Sequence, residues 1–79
     1  MNAHFIQLHS SYEGEVFQGL RHGPGCFCCA ISETIYVGHW RLGTRHGKGR
    51  ITYDSSHSSY YDGDWVNNMK QGYGIEVYK

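Results

Sequence analysis

Several groups of residues carry side chains capable of chemistry. Cys26-Phe27-Cys28-Cys29 places three thiols within four residues, including a Cys-x-x-Cys spacing. A structural zinc site needs four converging ligands, and no second cysteine pair exists. On a strand, Cys26 and Cys28 share one face while Cys29 turns to the other. A redox dithiol would want a helix N-terminus to lower a thiol pKa, and none is evident. The cysteines therefore read as small apolar strand residues, with no metal and no cofactor expected. His22 and His46 stand at matching places before Gly23 and Gly47, where general bases could sit, but Gln71 fills the third such place. An amide donates and accepts hydrogen bonds but is no base at neutral pH, so these residues are expected to shape turns. Gly43-Thr44-Arg45-His46-Gly47-Lys48 imitates a phosphate loop. It is one residue short, and Gly49 stands where a magnesium-binding Ser or Thr belongs. No nucleophile, base and orienting group can be assembled, so an enzyme is not expected.

Two further groups are candidates for binding. Arg41, Arg45, Lys48 and Arg50 put four fixed positive charges into one short stretch, with His46 among them. Clustered Lys and Arg gain about 1 kcal/mol each beside an anionic leaflet. Against that, Arg21 and Lys70 occupy the offset of Arg45 in neighbouring segments, and Glu13, Glu15, Asp62 and Asp64 oppose membrane attraction. No overall basic bias exists to favour nucleic acid. Trp40, Trp65 and Tyr61 are residue types enriched at binding hot spots. The alternative for these rings is a shared aromatic seam, which leaves partner binding to the rim and to open strand edges.

The elements that must position these residues follow from composition and spacing. The chain has 79 residues, so one domain is expected. Seven Lys and Arg balance seven Asp and Glu, and only 18% of residues are charged. Aromatics make up 15%, which argues against disorder. Eleven glycines argue against a helical bundle, because each costs about 1 kcal/mol inside a helix. No apolar run approaches the length of about 18 residues needed to cross a bilayer. No Lys or Arg precedes Arg21 and the apolar opening is short, so no secretory leader is expected. An odd, clustered cysteine set is a poor disulfide framework and points to a reducing, intracellular setting.

The glycines reveal a threefold repeat. The units begin Tyr12-Glu13-Gly14-Glu15-Val16, Tyr36-Val37-Gly38-His39-Trp40 and Tyr61-Asp62-Gly63-Asp64-Trp65. They continue through Gly19, Gly43 or Asn68 to the pairs Gly23/Gly25, Gly47/Gly49 and Gly72/Gly74. Asn68 is the one departure among the glycine slots, and Asn tolerates left-handed φ, which marks that slot as a turn. Alternation with period two predicts half-buried strands, with the Tyr-Gly-Trp side facing inward. Second strands are expected at Cys26–Ala30, Arg50–Tyr53 and Ile75–Tyr78, making each unit a hairpin. Glycine within a strand signals close approach of another group, here expected to be a Trp or Tyr ring from a neighbouring unit. Ile31–Ile35 and Asp54–Tyr60 read as linkers. The expected architecture is all-β: three tandem hairpins (about 12–30, 36–54 and 61–79) in one elongated, twisted antiparallel sheet. Residues 1–11 would be a leader or partial strand. The third unit ends directly after its second strand, which leaves an edge for a partner, end-to-end self-association or further repeats.

The pattern Tyr-x-Gly-x-Trp, then Gly, then Arg-His-Gly-x-Gly resembles the MORN repeat (membrane occupation and recognition nexus). Tyr36 to Tyr53 matches best; Val16, Gln71 and Glu76 depart from the usual residues. The segments Ser59–Asn68 and Gly72–Lys79 are similar to radial spoke head MORN proteins. The resemblance implies a non-catalytic interaction or scaffolding module with protein partners, placed in the cytoskeleton of motile cilia or flagella. It also implies an alternative: peripheral binding of acidic phospholipids through the basic hairpin at residues 41–50.

Overall fold

The computed structural model describes residues 1–79. Seven strands follow in chain order: β1 (Asn2–Ile6), β2 (Ser10–Phe17), β3 (Leu20–Cys29), β4 (Thr34–Arg41), β5 (Thr44–Thr52), β6 (Tyr60–Val66) and β7 (Met69–Val77). Each pairs antiparallel with the next, and spatial order equals chain order. The molecule measures 37 × 29 × 14 Å, so it is a single-layer all-β sheet of tandem hairpins. β1 pairs with β2, with Phe5 opposite Tyr12 and Ala3 opposite Gly14.

The second strand of each unit starts earlier than the apolar pattern suggests, directly after a two-residue turn. Gln18-Gly19, Leu42-Gly43 and Asn67-Asn68 all have positive φ at both positions, the mirror-image turn geometry that matches strand twist. The slot shared by Gly19, Gly43 and Asn68 is the left-handed position its residue types predict. The equivalent role of Gln18 and Leu42 carries no such signal, because neither residue type favours that region.

Each hairpin also contains an irregularity. Gly14 pairs with Gly25, but Val16 pairs with Arg21, so β3 spends two more residues than β2 between these points. The same shift follows Gly38/Gly49 and Gly63/Gly74. Gly23, Gly47 and Gly72 lie in these bulges at φ 85°, 95° and 68°. The two glycines of each Gly-x-Gly therefore serve different ends. The first supplies a left-handed backbone, and the second makes room for a ring.

That ring corrects the expectation from sequence: it comes from the same unit. A Cβ on Gly25 would collide with the ring of Tyr12, on Gly49 with Tyr36, and on Gly74 with Tyr61. Each tyrosine lies across its own cross-strand glycine pair, and its hydroxyl donates to a backbone carbonyl three residues on. The bonds are Tyr12 to Glu15 at 2.6 Å, Tyr36 to His39 at 2.8 Å and Tyr61 to Asp64 at 3.0 Å. The tryptophan of the following unit sits alongside. Trp40 Nε1 donates to the Gly25 carbonyl at 3.3 Å, and Trp65 Nε1 to the Gly49 carbonyl at 3.0 Å.

The core is this row of rings. Trp40 stands edge-on between Tyr12 and Tyr36, at 5.6 and 4.9 Å between centroids. Trp65 stands between Tyr36 and Tyr61, at 5.4 Å from each. Edge-to-face pairs contribute about 0.5–1.5 kcal/mol each beyond area burial. These five rings and Ile51 form the buried apolar core, so the Tyr-Gly-Trp side is the inner face.

Gly49→Ala should unfold at a temperature about 10 °C lower, because overpacking costs about 2 kcal/mol. Gly19 has φ 78° and nothing within 4 Å of a Cβ, so Gly19→Ala should lose only about 1 kcal/mol, for backbone conformation. Thermal unfolding followed by circular dichroism compares the two. Equal losses would mean that position 49 does not hold glycine for the ring.

Candidate functional site

The strands sort the charged residues by face. On the inner face the Arg21 guanidinium lies 4.4 Å over Trp40, and that of Arg45 lies 4.6 Å over Trp65. Arg21 also donates to the Gly43 carbonyl at 3.0 Å. Arg45 donates to the Asn68 side-chain oxygen at 3.2 Å and its carbonyl at 3.1 Å. Lys70 holds the equivalent place in the third unit. It turns back onto Glu76 at 2.6 and 2.7 Å and lies 5.1 Å from the Tyr53 and Tyr61 ring centres. Glu76 sits opposite Tyr61, the place Ile51 takes opposite Tyr36, which explains how a carboxylate occupies an apolar slot of the repeat.

Arg41, Lys48 and Arg50 are exposed and belong to the other face. Lys48 pairs with Asp64. Arg50 pairs with Asp62 at 3.0 Å and stacks 4.2 Å over Tyr60. The four basic residues singled out from sequence are thus divided between two faces. Arg45 is inside on the aromatic row, Lys48 and Arg50 are outside on carboxylates, and Arg41 is outside next to the turn. The odd separation of residue 45 from residue 48 was the signal for this division.

Zero net charge hides this sidedness. The inner face carries Arg21, Arg45 and Lys70 against Glu76 alone. The outer face carries Arg41, Lys48 and Arg50 against Glu13, Glu15, Asp62 and Asp64. The inner face also has two open depressions. One, of about 270 Å³, is flanked by Phe5, Tyr12, Arg21 and Phe27. The other, of about 230 Å³, is flanked by Arg21, Tyr36, Trp40 and Arg45. Arg21 stands between them. Sequence reasoning passed over Arg21 and Lys70 as binding candidates, although their common offset with Arg45 was visible.

Other polar side chains lie away from this row. The His22 Nδ1 accepts from the Leu42 amide at 3.1 Å, tying one unit's strand to the next unit's turn. His46 Nδ1, at the matching place, is buried without a partner, and the side-chain link to the next turn there runs instead from the Arg45 amide to Asn68 Oδ1. Burial pushes the Tyr36 phenol up to about 12, with Arg45 opposing, so the phenol stays neutral and donates. Cys26 and Cys28 share the outer face with their sulfurs 3.9 Å apart. No group of three His, Cys, Asp or Glu side chains is placed to hold a metal ion.

The Asp64 carboxyl is held below its ordinary range, first by the Lys48 ammonium and then by the Tyr73 amide. A folded-state pKa below the unfolded value means this stabilisation is present above the unfolded value. It fades as pH falls through the folded value. An NMR titration should show the Asp64 carboxyl shifting upward in Lys48→Met. An unchanged titration would remove the pair as the cause.

Comparison with known proteins agrees with this architecture. The MORN repeat family model matches residues 12–33, 36–58 and 61–79, which are the three hairpins with their connections. MORN repeat-containing protein 3 of Xenopus laevis is 39% identical over 71 residues, covering 85% of this chain and 30% of the relative. The chain thus spans under a third of that relative's length. With three tyrosine-over-glycine hairpins in phase and the family model matching each of them, this chain belongs to the MORN repeat family.

Proposed function

We propose that the chain is a non-catalytic scaffolding module that holds an extended acidic segment of a protein partner across its inner face. MORN repeats generally serve as interaction modules. The observation that carries the choice of face is the separation of charge. Arg21 and Arg45, which have no carboxylate partner, lie on β3 and β5, and Lys70, which also binds Glu76, continues the row on β7, two strands apart, or about 10 Å at ordinary strand spacing. Three residues of extended chain also cover about 10 Å. A segment lying across the strands with a carboxylate at every third residue would meet the row in register, over an aromatic floor. Guanidinium groups fixed by stacking and one backbone bond keep further N–H donors for a carboxylate.

The alternative, peripheral binding of acidic phospholipid through residues 41–50, has weaker support. Lys48 and Arg50 already face Asp64 and Asp62, which leaves Arg41 as the outer cation of that set without a carboxylate partner.

Fluorescence anisotropy with a labelled peptide bearing glutamate at every third position tests the proposal. Binding should weaken as salt rises and fall about three- to tenfold in Lys70→Gln, while Arg41→Gln leaves it unchanged. Binding that ignores Lys70 would overturn the inner-face assignment. So would pelleting with acidic vesicles that is lost in Arg41→Gln.

The likeness of the third unit to radial spoke head proteins extends the proposal to the axoneme of motile cilia or flagella. A tagged chain in multiciliated cells should concentrate along the axoneme. Diffuse signal excluded from cilia would remove that placement.

A further inference from the structure

The outer face of β3 carries a feature that neither the repeat nor the binding face uses. Cys26 and Cys28 project side by side, half-buried, with their sulfurs 3.9 Å apart, while Cys29 is not part of this pair. Glu13 lies directly across from Cys26 on β2. The pair is poorly placed to close on itself. Two strand rises separate the Cα atoms by about 6.6 Å, at the far limit of the roughly 4.4–6.8 Å that a disulfide spans. The strand instead presents two reduced sulfurs at the separation of ligands around one metal. With metal–sulfur bonds of about 2.3 Å, a 3.9 Å base gives an S–metal–S angle of about 116°. Opening to a linear arrangement needs only about 0.7 Å more between the sulfurs at that bond length, within reach of small χ1 changes.

We propose that Cys26 and Cys28 form a two-thiolate site for a soft monovalent cation, copper(I). Donor number decides the metal. Zinc wants four ligands, and the structure brings no third Cys, His, Asp or Glu to these sulfurs. Copper(I) prefers soft thiolates and is satisfied by two. On binding, each thiol gives its proton to water as its sulfur takes the metal. Copper stays in the +1 state, and no electron is transferred. Burial pushes the Cys26 thiol up to about 11, with the neighbouring Cys28 and then Glu13 adding to the rise. The Cys26 thiol is therefore protonated when the site is empty, and Glu13 across the strand favours a cation once the proton leaves. The site belongs to the sheet's outer face and does not depend on the inner-face proposal.

Anaerobic titration with copper(I) against a chromogenic chelator, with ascorbate present, tests the assignment on the full chain. The expected result is one copper per chain. Affinity should fall at least a hundredfold in Cys26→Ser and in Cys28→Ser, and stay unchanged in Cys29→Ser. It should also drop on acidification, since protons compete with the metal for the sulfurs. A far-ultraviolet spectrum of each variant checks the fold. Copper(I) should also shield Cys26 and Cys28, and not Cys29, from iodoacetamide at an alkaline pH where all three thiols of the empty chain are labelled. Copper that follows Cys29, survives either serine substitution, or requires two chains per metal would overturn the site.

Discussion

A tyrosine ring laid flat over two glycines on paired strands is the contact on which this sheet depends. Residues 1–79 form one layer, and no second sheet or helix among them covers its inner face. The protein instead covers its backbone with its own side chains. Each tyrosine roofs a glycine pair and spends its hydroxyl on a carbonyl within the same hairpin. The glycines let the ring come down to the backbone, and the accepting carbonyl belongs to the first-strand residue at the register shift. Tryptophans then fill the gaps between roofs and fasten each hairpin to the one before. A unit without its neighbour would lose half of these contacts, in line with the marginal stability of lone hairpins.

Much of this was legible in the sequence because the pattern repeats. The period, the inner face and the turn at Gly19, Gly43 and Asn68 follow from residue type and alternation. The division of labour within Gly-x-Gly did not. Spacing shows that two glycines alternate with one other residue. It does not show that two extra residues loop out between them and the preceding strand. The identity of the covering ring was hidden for the same reason. Tyr12 and Gly25 are 13 positions apart and meet only because the hairpin pairs Gly14 with Gly25. Gln18 and Leu42 enter left-handed turns because tight strand pairing on both sides imposes them, against their own preference. For the binding candidates, the residues were visible but their faces were not. The basic hairpin reads as one patch along the chain and becomes two opposed surfaces once folded.

The separation of faces gives the molecule two characters. Inside, Arg21 and Arg45 stack on indoles and are stiffened by backbone bonds, while Lys70 rests by tyrosine rings on Glu76. Outside, cations and carboxylates meet in exposed pairs such as Lys48 with Asp64, which contribute little to stability in water but cancel one another's field. A zero formal charge thus conceals a positive inner surface and a slightly negative outer one, with Glu33, Asp54 and Lys79 outside the strands making up the balance.

Pairing also sets the glycines in a line. Ala3 stands opposite Gly14, Gly14 opposite Gly25, Gly25 opposite Gly38, Gly38 opposite Gly49, Gly49 opposite Gly63 and Gly63 opposite Gly74. The line crosses every strand at right angles to the chain and works as a ruler. Any strand that slips by one residue puts a side chain on the line and lifts a ring from its seat. Spacing between units can vary in the loops, as it does between the 24- and 25-residue periods from Tyr12 to Tyr36 and Tyr36 to Tyr61, without moving the mark. Growth or loss along such an array is therefore quantised: whole hairpins enter or leave, and the phase of those that remain is preserved.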